Sequence, residues 1–133
     1  MKIKLTLFLL LTFVFGAFQT LEAQTKETQK IQINKQKTFL KSKLTVKFLS
    51  LIEDSRCPEG VRCIHAGNAQ IKIEVSKNGE KKIFEVNTNL GPKGATFDGY
   101  AIELISLTPV PKENIRINRN GYVATFAVSG LTR

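Results

Sequence analysis

Apolar side chains alternate with polar ones along most of this chain, and this period of two restricts its fold more than any other feature. Leu44, Val46 and Phe48 alternate with lysine and threonine, and residues 70–75 repeat the pattern. Further segments of strand length follow at 81–88, 99–107 and 121–129. Such alternation is typical of strands with one buried face. Because no stretch after residue 24 has the period of an amphipathic helix, we predict an all-β fold.

Turn signals separate these segments. Asn78-Gly79 predicts a tight hairpin because both residues tolerate a positive φ. Residues 89–98 contain two glycines and a proline and are predicted to form a loop. Pro109 and Pro111 lack a backbone donor and should end the strand before them. The spacing predicts a small antiparallel β-sandwich or barrel of about six to seven strands.

The start of the chain has the layout of a secretory signal peptide. Two lysines precede a 14-residue apolar run at 5–18, and the small residue Ala23 comes before polar ones. As a helix this run would be about 21 Å long, shorter than the roughly 30 Å hydrocarbon core of a membrane. We predict a signal peptide over 1–23, a flexible polar lead-in over 24–30 and a single β-sandwich-like domain over 31–133. An uncleaved anchor is the other interpretation.

The predicted mature chain would be exported, either periplasmic or extracellular, and would not span the membrane. Its formal net charge falls from +9 to +8 when residues 1–23 are removed. A basic exported domain can meet nucleic acid, anionic lipid or acidic polysaccharide. The basic residues are scattered, however, and Lys81-Lys82 is their longest adjacent run. We interpret the charge as solubilising and expect no nucleic-acid partner.

Both cysteines and the only histidine lie in one segment, EDSRCPEGVRCIHAGNA, at residues 53–69. An oxidising compartment favours a disulfide between Cys57 and Cys63, and Pro58 and Gly60 suit the tight loop that it would close. A redox dithiol is a second hypothesis, although five residues separate the cysteines where such sites have two. A copper or zinc site is a third, with Cys57, Cys63 and His65 as ligands and the thiols reduced.

No catalytic constellation is recognisable. Ser55 and His65 are near Asp54 in the sequence, but neighbouring loop residues seldom form a catalytic triad. The segment 91–94 lacks the spacing and the Lys-Ser/Thr ending of a phosphate-binding loop. We therefore expect no enzyme and no cofactor. Asp54 should accept backbone N–H bonds, Arg56 should pair with it or reach a carbonyl, and His65 should rest half-buried on the disulfide.

Residues 53–75 resemble the signature of a largely uncharacterised group of small exported bacterial β-domain proteins. The pattern of that group is D-S-R-C-P-x-x-V-x-C-x-W-A-G, where x is any residue and the W position is usually, but not always, Trp. The matching residues are Asp54, Ser55, Arg56, Cys57, Pro58, Val61, Cys63, Ile64, Ala66 and Gly67, and His65 stands at the Trp position. The resemblance implies a secreted or lipid-anchored β-domain with the two cysteines paired. It implies no particular activity.

Two functional hypotheses follow. The first is a non-enzymatic binding or inhibitor-like module of the cell envelope, whose loop 54–68 contacts a protein or a glycan. Its predicted contact residues are Arg56, Glu59, Val61 and Arg62. The alternative for this loop is that Val61 and Ile64 turn inward and the loop only closes one end of the sandwich. The second hypothesis is an envelope protein that binds copper or zinc through Cys57, Cys63 and His65. Neither the partner nor the oligomeric state can be read from the sequence.

Overall fold

A computed structural model describes residues 25–131, so the predicted signal peptide over 1–23 lies outside the described residues. The described chain is all-β, and its eight strands form two antiparallel four-stranded sheets that enclose one core. The strands are β1 (Glu27–Gln32), β2 (Gln36–Thr38), β3 (Thr45–Asp54), β4 (Ala69–Lys77), β5 (Glu80–Asn87), β6 (Gly94–Phe97), β7 (Tyr100–Thr108) and β8 (Val123–Gly130). No helix within residues 25–131 is long and apolar enough to cross a membrane.

The chain builds one sheet from its middle and the other from its two ends. The central sheet has the order β2-β3-β4-β5, and the terminal sheet has the order β1-β8-β7-β6. The side chains between the sheets are those that the alternation predicts: Leu44, Val46, Phe48, Ile71, Ile73, Val75, Tyr122, Ala124, Phe126 and Val128 are all buried. The sandwich prediction is confirmed. Eight strands rather than six or seven appear because β2 and β6 are too short to show an alternating pattern.

Two tight turns join neighbouring strands. Asn78 and Gly79 connect β4 to β5 and have φ values of 52° and 82°, as predicted for this hairpin. Asp98 and Gly99 connect β6 to β7 in the same way, with φ values of 48° and 79°. The prediction of a loop over 89–98 was therefore wrong for residues 94–97. The glycines there suggested a loop, whereas Asp-Gly is itself a hairpin signal.

The first strand begins earlier than expected. β1 starts at Glu27, so residues 27–30 are not part of a flexible lead-in. The whole of β1 pairs with β8, from Glu27↔Val128 to Gln32↔Val123. Backbone hydrogen bonds need no apolar side chain, and this strand buries only alternate positions, so its polar composition concealed it.

The sandwich has two ends with different construction. At one end, which we call the hairpin end, lie the two-residue turns 78–79 and 98–99. At the other, the loop end, lie the longer connections 55–68, 88–93 and 109–122. The loop end carries every residue of the candidate site.

Irregularities in β3 orient the side chains at the loop end. The register of β3 against β4 shifts between Phe48 and Ser50 and again between Leu51 and Glu53. Each bulge inserts one unpaired residue and reverses the face of those that follow. The two reversals cancel, so Asp54 lies on the same inward face as Val46 and Phe48 and pairs with the fully buried Ala69, whereas Glu53 is exposed.

Candidate functional site

The loop 54–68 continues the ladder between β3 and β4 before it closes on a disulfide. The amide of Ser55 donates to the carbonyl of Asn68 at 2.7 Å, and the amide of Cys57 donates to that of Ala66 at 3.0 Å. The predicted disulfide between Cys57 and Cys63 is present, with 5.9 Å between the Cα atoms. The loop therefore has a hydrogen-bonded base and a covalently closed tip.

The tip of the loop turns at Pro58 and rests on the segment after β7. The amide of Val61 donates to the carbonyl of Pro58 at 3.2 Å, and Gly60 has a φ of 82°. A positive φ is what the third position of a type II turn requires. The amide of Glu59 donates to the carbonyl of Pro111 at 2.7 Å, which joins the tip to the 109–122 connection.

Arg56 and Asp54 form a clamp beneath the loop. The carboxylate of Asp54 accepts from Nε of Arg56 at 2.8 Å and from Nη2 at 2.7 Å. The guanidinium also donates to the backbone carbonyls of Leu107 at 2.6 Å and Pro109 at 2.9 Å. The side chains of Arg56 and Asp54 are only 13% and 8% exposed. The expectation that Arg56 pairs with Asp54 and reaches a carbonyl is confirmed.

Tyr122 extends this clamp to the other sheet. Its hydroxyl donates to Oδ2 of Asp54 at 2.9 Å, across 68 residues of sequence. The aromatic ring is buried in the core just before β8. Because Asp54 ends a strand of the central sheet, and Leu107 and Tyr122 belong to the terminal sheet side, the clamp of Asp54, Arg56 and Tyr122 joins the two layers at the loop end.

The clamp fixes the charges of its members. Burial raises the pKa of Asp54, but the hydrogen bonds from Arg56 and Tyr122 and the charge of Arg56 outweigh it and hold the pKa below its usual value. Burial, followed by the hydrogen bond and charge of Asp54, raises the pKa of Tyr122. Near neutral pH the clamp therefore contains an ionised carboxylate and a neutral phenol. Both carboxylate oxygens already accept hydrogen bonds, so Asp54 is not placed to act as a base.

Asn68 organises a second polar network at the loop end. Its buried side-chain oxygen accepts from the amides of Asn89 and Leu90, each at 3.0 Å. Its side-chain nitrogen donates to Oδ1 of Asn87 at 2.9 Å, and Asn87 donates in turn to the carbonyl of Pro92 at 3.1 Å. The connection 88–93 is thus fixed against the base of the disulfide loop.

The predicted contact residues are not all at the surface. Glu59, Val61 and Arg62 are exposed, as predicted. Arg56 is not part of this surface, because its guanidinium is used inside the clamp. We therefore remove Arg56 from the predicted contact set.

The inward turn of Val61 and Ile64, which the alternative for this loop predicted, is contradicted. Val61 is 36% exposed and Ile64 is 95% exposed. His65 is exposed as well, so the expectation that it rests half-buried on the disulfide was wrong. The ladder ends at Cys57 and Ala66, and the closed tip holds these side chains away from the core.

The structure does not bring metal ligands together at this loop. Cys57 and Cys63 are joined to each other, so neither offers a thiolate. Within residues 25–131 no three side chains of His, Cys, Asp or Glu lie close enough to hold a metal ion. The residues of the metal hypothesis therefore do not fit a metal site in this oxidised form.

A groove of about 400 Å³ lies beside the disulfide loop. Its floor is the clamp, and its walls are the last residues of β3 and the 109–122 connection. The wall residues that it exposes most are Ile52, at the end of β3, and Ile115 on the opposite side. Pro58 from the loop tip and Arg119 also line it. The groove thus combines exposed apolar side chains with the exposed charged side chains of Arg119 and Glu53.

Sequence reasoning did not identify Tyr122 or Asn68. A Tyr at the start of an inward-facing row has a polar tip that needs a partner when it is buried, and this was the available signal for Tyr122. Asn68 offered no comparable signal, because an asparagine beside a glycine is common in exposed turns. Its role depends on the position of residues 87–92 in the folded chain, which the sequence around Asn68 does not specify.

Comparisons with known proteins add no family to this description. The chain matches no protein-family model, and it matches neither a curated protein nor a solved structure. The resemblance of residues 53–75 to a group of exported β-domain proteins stays a prediction.

Proposed function

We propose that this protein is an exported, non-enzymatic binding module of the cell envelope, and that its contact surface is the tip of the disulfide loop together with the adjoining groove. The partner is a protein or a glycan. We call this contact surface the tip surface; it comprises Glu59, Val61, Arg62, Ile64 and the groove walls. The exposure of Ile64 on a fixed backbone is the observation that carries the proposal.

An exposed apolar side chain on a constrained loop is well suited to binding. Ile64 gains no burial from folding of its own chain, so it can contribute its full apolar area to a complex. The disulfide, the ladder below it and the contact of Glu59 with Pro111 already fix the backbone of the loop. A preorganised loop lowers the conformational entropy that is lost on association.

The charges of the tip surface favour a partner that offers carboxylates. Arg62 and Arg119 are exposed, and neither has an ion-pair partner within residues 25–131. Glu59 is the acidic residue of the tip, and its carboxylate lies 4.0 Å from the ammonium of Lys112. An apolar centre with cations at its rim is a common arrangement in protein interfaces.

The bonding of the clamp supports a non-enzymatic role. The hydroxyl of Ser55 donates to the carbonyl of Asn68 and accepts from its amide, and the carboxylate of Asp54 is saturated by Arg56 and Tyr122. His65 has no hydrogen bond to either in the described part of the chain. These side chains stabilise the fold and are not arranged for proton transfer.

The test is capture and identification of partners from an envelope extract, followed by affinity measurement with the purified partner. A tip variant, Arg62→Ala with Ile64→Ser, should fold normally and bind at least about tenfold more weakly, since it removes one charge and one exposed apolar side chain that the complex would bury. A matched control, Lys30→Ala with Ile105→Ser, changes an exposed cation and an exposed isoleucine away from the tip surface.

Melting curves of both variants should match the wild type. If the tip variant binds the same partner as tightly as the control does, or if no partner is captured by the wild type, the tip surface is not a binding site and the proposal fails.

A further inference from the structure

The strand β5 forms the longest open edge of the sandwich. The edge strands are β1 and β6 in the terminal sheet and β2 and β5 in the central sheet. β2 and β6 have three and four residues, and the start of β1 is covered because Glu27 accepts hydrogen bonds from the amides of Leu40 and Lys41. β5 has eight residues and pairs with β4 without any shift in register.

The hairpin fixes which backbone groups of β5 face outward. Lys77 and Glu80 flank a two-residue turn and form a hydrogen-bonded pair, so every second residue from Glu80 bonds to β4. Two backbone hydrogen bonds at the end of β5 confirm this alternation. The amide of Thr88 donates to Ala69 of β4, whereas that of Asn87 donates away from β4 to Pro92. The N–H and C=O groups of Lys81, Ile83 and Glu85 therefore point out of the sheet edge.

The side chains of these three residues are exposed on the outer face of the central sheet. Ile83 is 55% exposed, with Lys81 on one side of it and Glu85 on the other. Many edge strands are protected by a bulge, a proline or an inward-pointing charge. β5 has no proline and no bulge; Lys81 and Glu85 lie on its outer face, and Lys82, on the inner-face side, is exposed at the open end of the strand.

We propose that the β5 edge pairs antiparallel with the β5 edge of a second copy of this chain, centred on Ile83. In this register Ile83 lies opposite Ile83 of the second copy. Lys81 lies opposite Glu85 of the second copy and Glu85 opposite its Lys81, so two cross-strand ion pairs form on the outer face. The outward groups of residues 81, 83 and 85 form six backbone hydrogen bonds, and the two central sheets become one sheet of eight strands.

The inner side of the same register is also complementary. Lys82 lies opposite Phe84 of the second copy, and within one chain the ammonium of Lys82 already lies 5.3 Å from the centre of the Phe84 ring. A shift of two residues in either direction removes both ion pairs. A shift centred on Lys82 places two lysines opposite each other, which is unfavourable. The charge order Lys81, Ile83, Glu85 thus selects one register.

The charge balance of the strand supports self-association. β5 carries two glutamates and two lysines and is neutral, although the whole chain has a net charge of +9. The net positive charge of each chain causes repulsion that opposes the dimer. The two β5 strands add nothing to this repulsion, because each of them is neutral. We therefore expect a weak dimer that is visible at high protein concentration.

Charge-swap variants test the register. The oligomeric state of the purified mature chain is measured by sedimentation velocity over a range up to millimolar concentration. Lys81→Glu places two glutamates opposite each other at both ends of the interface, and Glu85→Lys places two lysines there. The dissociation constant of the dimer should rise at least about tenfold in each single variant, because two cross-strand pairs change from attractive to repulsive.

Two rescues distinguish the register from a general effect of charge. The double variant Lys81→Glu with Glu85→Lys restores both ion pairs and should dimerise like the wild type. A mixture of the two single variants should form a heterodimer, since every pair across that interface is again Glu with Lys. Melting temperatures should stay close to that of the wild type, because both side chains are exposed.

A wild-type chain that is monomeric at millimolar concentration overturns the proposal and leaves the edge open to a strand of another protein. A dimer that is insensitive to the single variants, or that neither rescue restores, also overturns it. These measurements do not involve the tip surface, so their outcome is independent of the proposed function.

Discussion

The two ends of the sandwich hold their strands together by different means. At the hairpin end, Asn78-Gly79 and Asp98-Gly99 reverse the chain within two residues, and local backbone conformation is sufficient for these two turns. At the loop end, connections of up to 14 residues are held by side chains that meet across the fold. Asp54 and Tyr122 are 68 residues apart, and the clamp they form with Arg56 spans both sheets.

This difference determines how each end responds to change. A tight turn depends on one or two residues that accept a positive φ, and its neighbours contribute little. The loop end depends on buried polar groups that must all be satisfied, so the loss of one partner leaves another unpaired in a poorly solvated place. We therefore expect the same kind of substitution to lower the free energy of unfolding more at the loop end than at the hairpin end.

The largest loss of stability is expected at one of two glycines with similar backbone conformations. Gly67 at the loop end has a φ of 70°, and Gly79 at the hairpin end has a φ of 82°. A Cβ at position 79 would meet nothing within 4 Å, whereas one at position 67 would collide with the backbone carbonyl of Ser55. Gly67→Ala should lower the free energy of unfolding by about 3–5 kcal/mol, and Gly79→Ala by about 1–2 kcal/mol.

Chemical denaturation of both variants measures this difference. Equal losses of stability would show that positive φ alone sets the cost, and that the loop end is no more tightly constructed than the hairpin end.

The next effect concerns the clamp. Asp54→Asn keeps the shape of the side chain but leaves the guanidinium of Arg56 without its counter-ion in a place where it is 13% exposed. We expect a loss of about 3 kcal/mol, as for other buried ion pairs that lose one partner. Glu53→Gln is the matched control, because this neighbouring carboxylate is exposed, and it should leave stability almost unchanged. Denaturant midpoints of the two variants give the comparison.

The pH dependence of stability distinguishes charge from packing in the same variant. The pKa of Asp54 is lower in the folded chain than its usual value, so the folded chain binds fewer protons here than the unfolded one. Its contribution is fully present above the unfolded pKa of about 4 and is lost as the pH falls through the lower folded pKa. The wild type should therefore lose stability in acid more steeply than Asp54→Asn. Parallel pH profiles would exclude an electrostatic role for the clamp.

A smaller loss than that of Gly67→Ala or Asp54→Asn is expected when the disulfide is broken. The disulfide encloses a short loop, and chain-entropy arguments give about 2.4 kcal/mol for a loop of about seven residues. Reduction should lower the free energy of unfolding of the wild type by this amount. The stability of a variant with Cys57→Ser and Cys63→Ser should not change when reductant is added. Denaturant unfolding of the oxidised and the reduced wild type measures this loss. Equal free energies of unfolding for the two forms would show that the disulfide does not stabilise the domain.

Much of the fold could be predicted because it follows from local patterns. Alternation identified the buried faces of β3, β4 and β8, and the Asn78-Gly79 turn identified the β4–β5 hairpin. The Asp98-Gly99 turn carries the same signal, but the glycines and the proline before it favoured a loop. Alternation placed the start of the domain at residue 31 and missed residues 27–30 of β1, since these pair with β8 through backbone groups and have polar side chains.

The candidate site was predictable only in part. An oxidising compartment and a short loop were sufficient to predict that Cys57 and Cys63 pair, and the structure agrees. The pairing of Arg56 with Asp54 was predictable from their spacing, but the partners that the clamp gains from distant segments, Leu107, Pro109 and Tyr122, were not. The exposure of Ile64 likewise follows from where the ladder stops, and hydropathy alone favoured an inward position.

The pairing of β1 with β8 has a practical consequence for how this domain can be attached to something else. Glu27 lies beside Val128, and Gly130 lies beside Tyr100 next to the Asp98-Gly99 turn, so both ends of the described chain leave the sandwich at the hairpin end. The tip surface lies at the far end of strands about 25 Å long. A tether, a label or a fused domain at either terminus would therefore leave the tip surface facing away from its support.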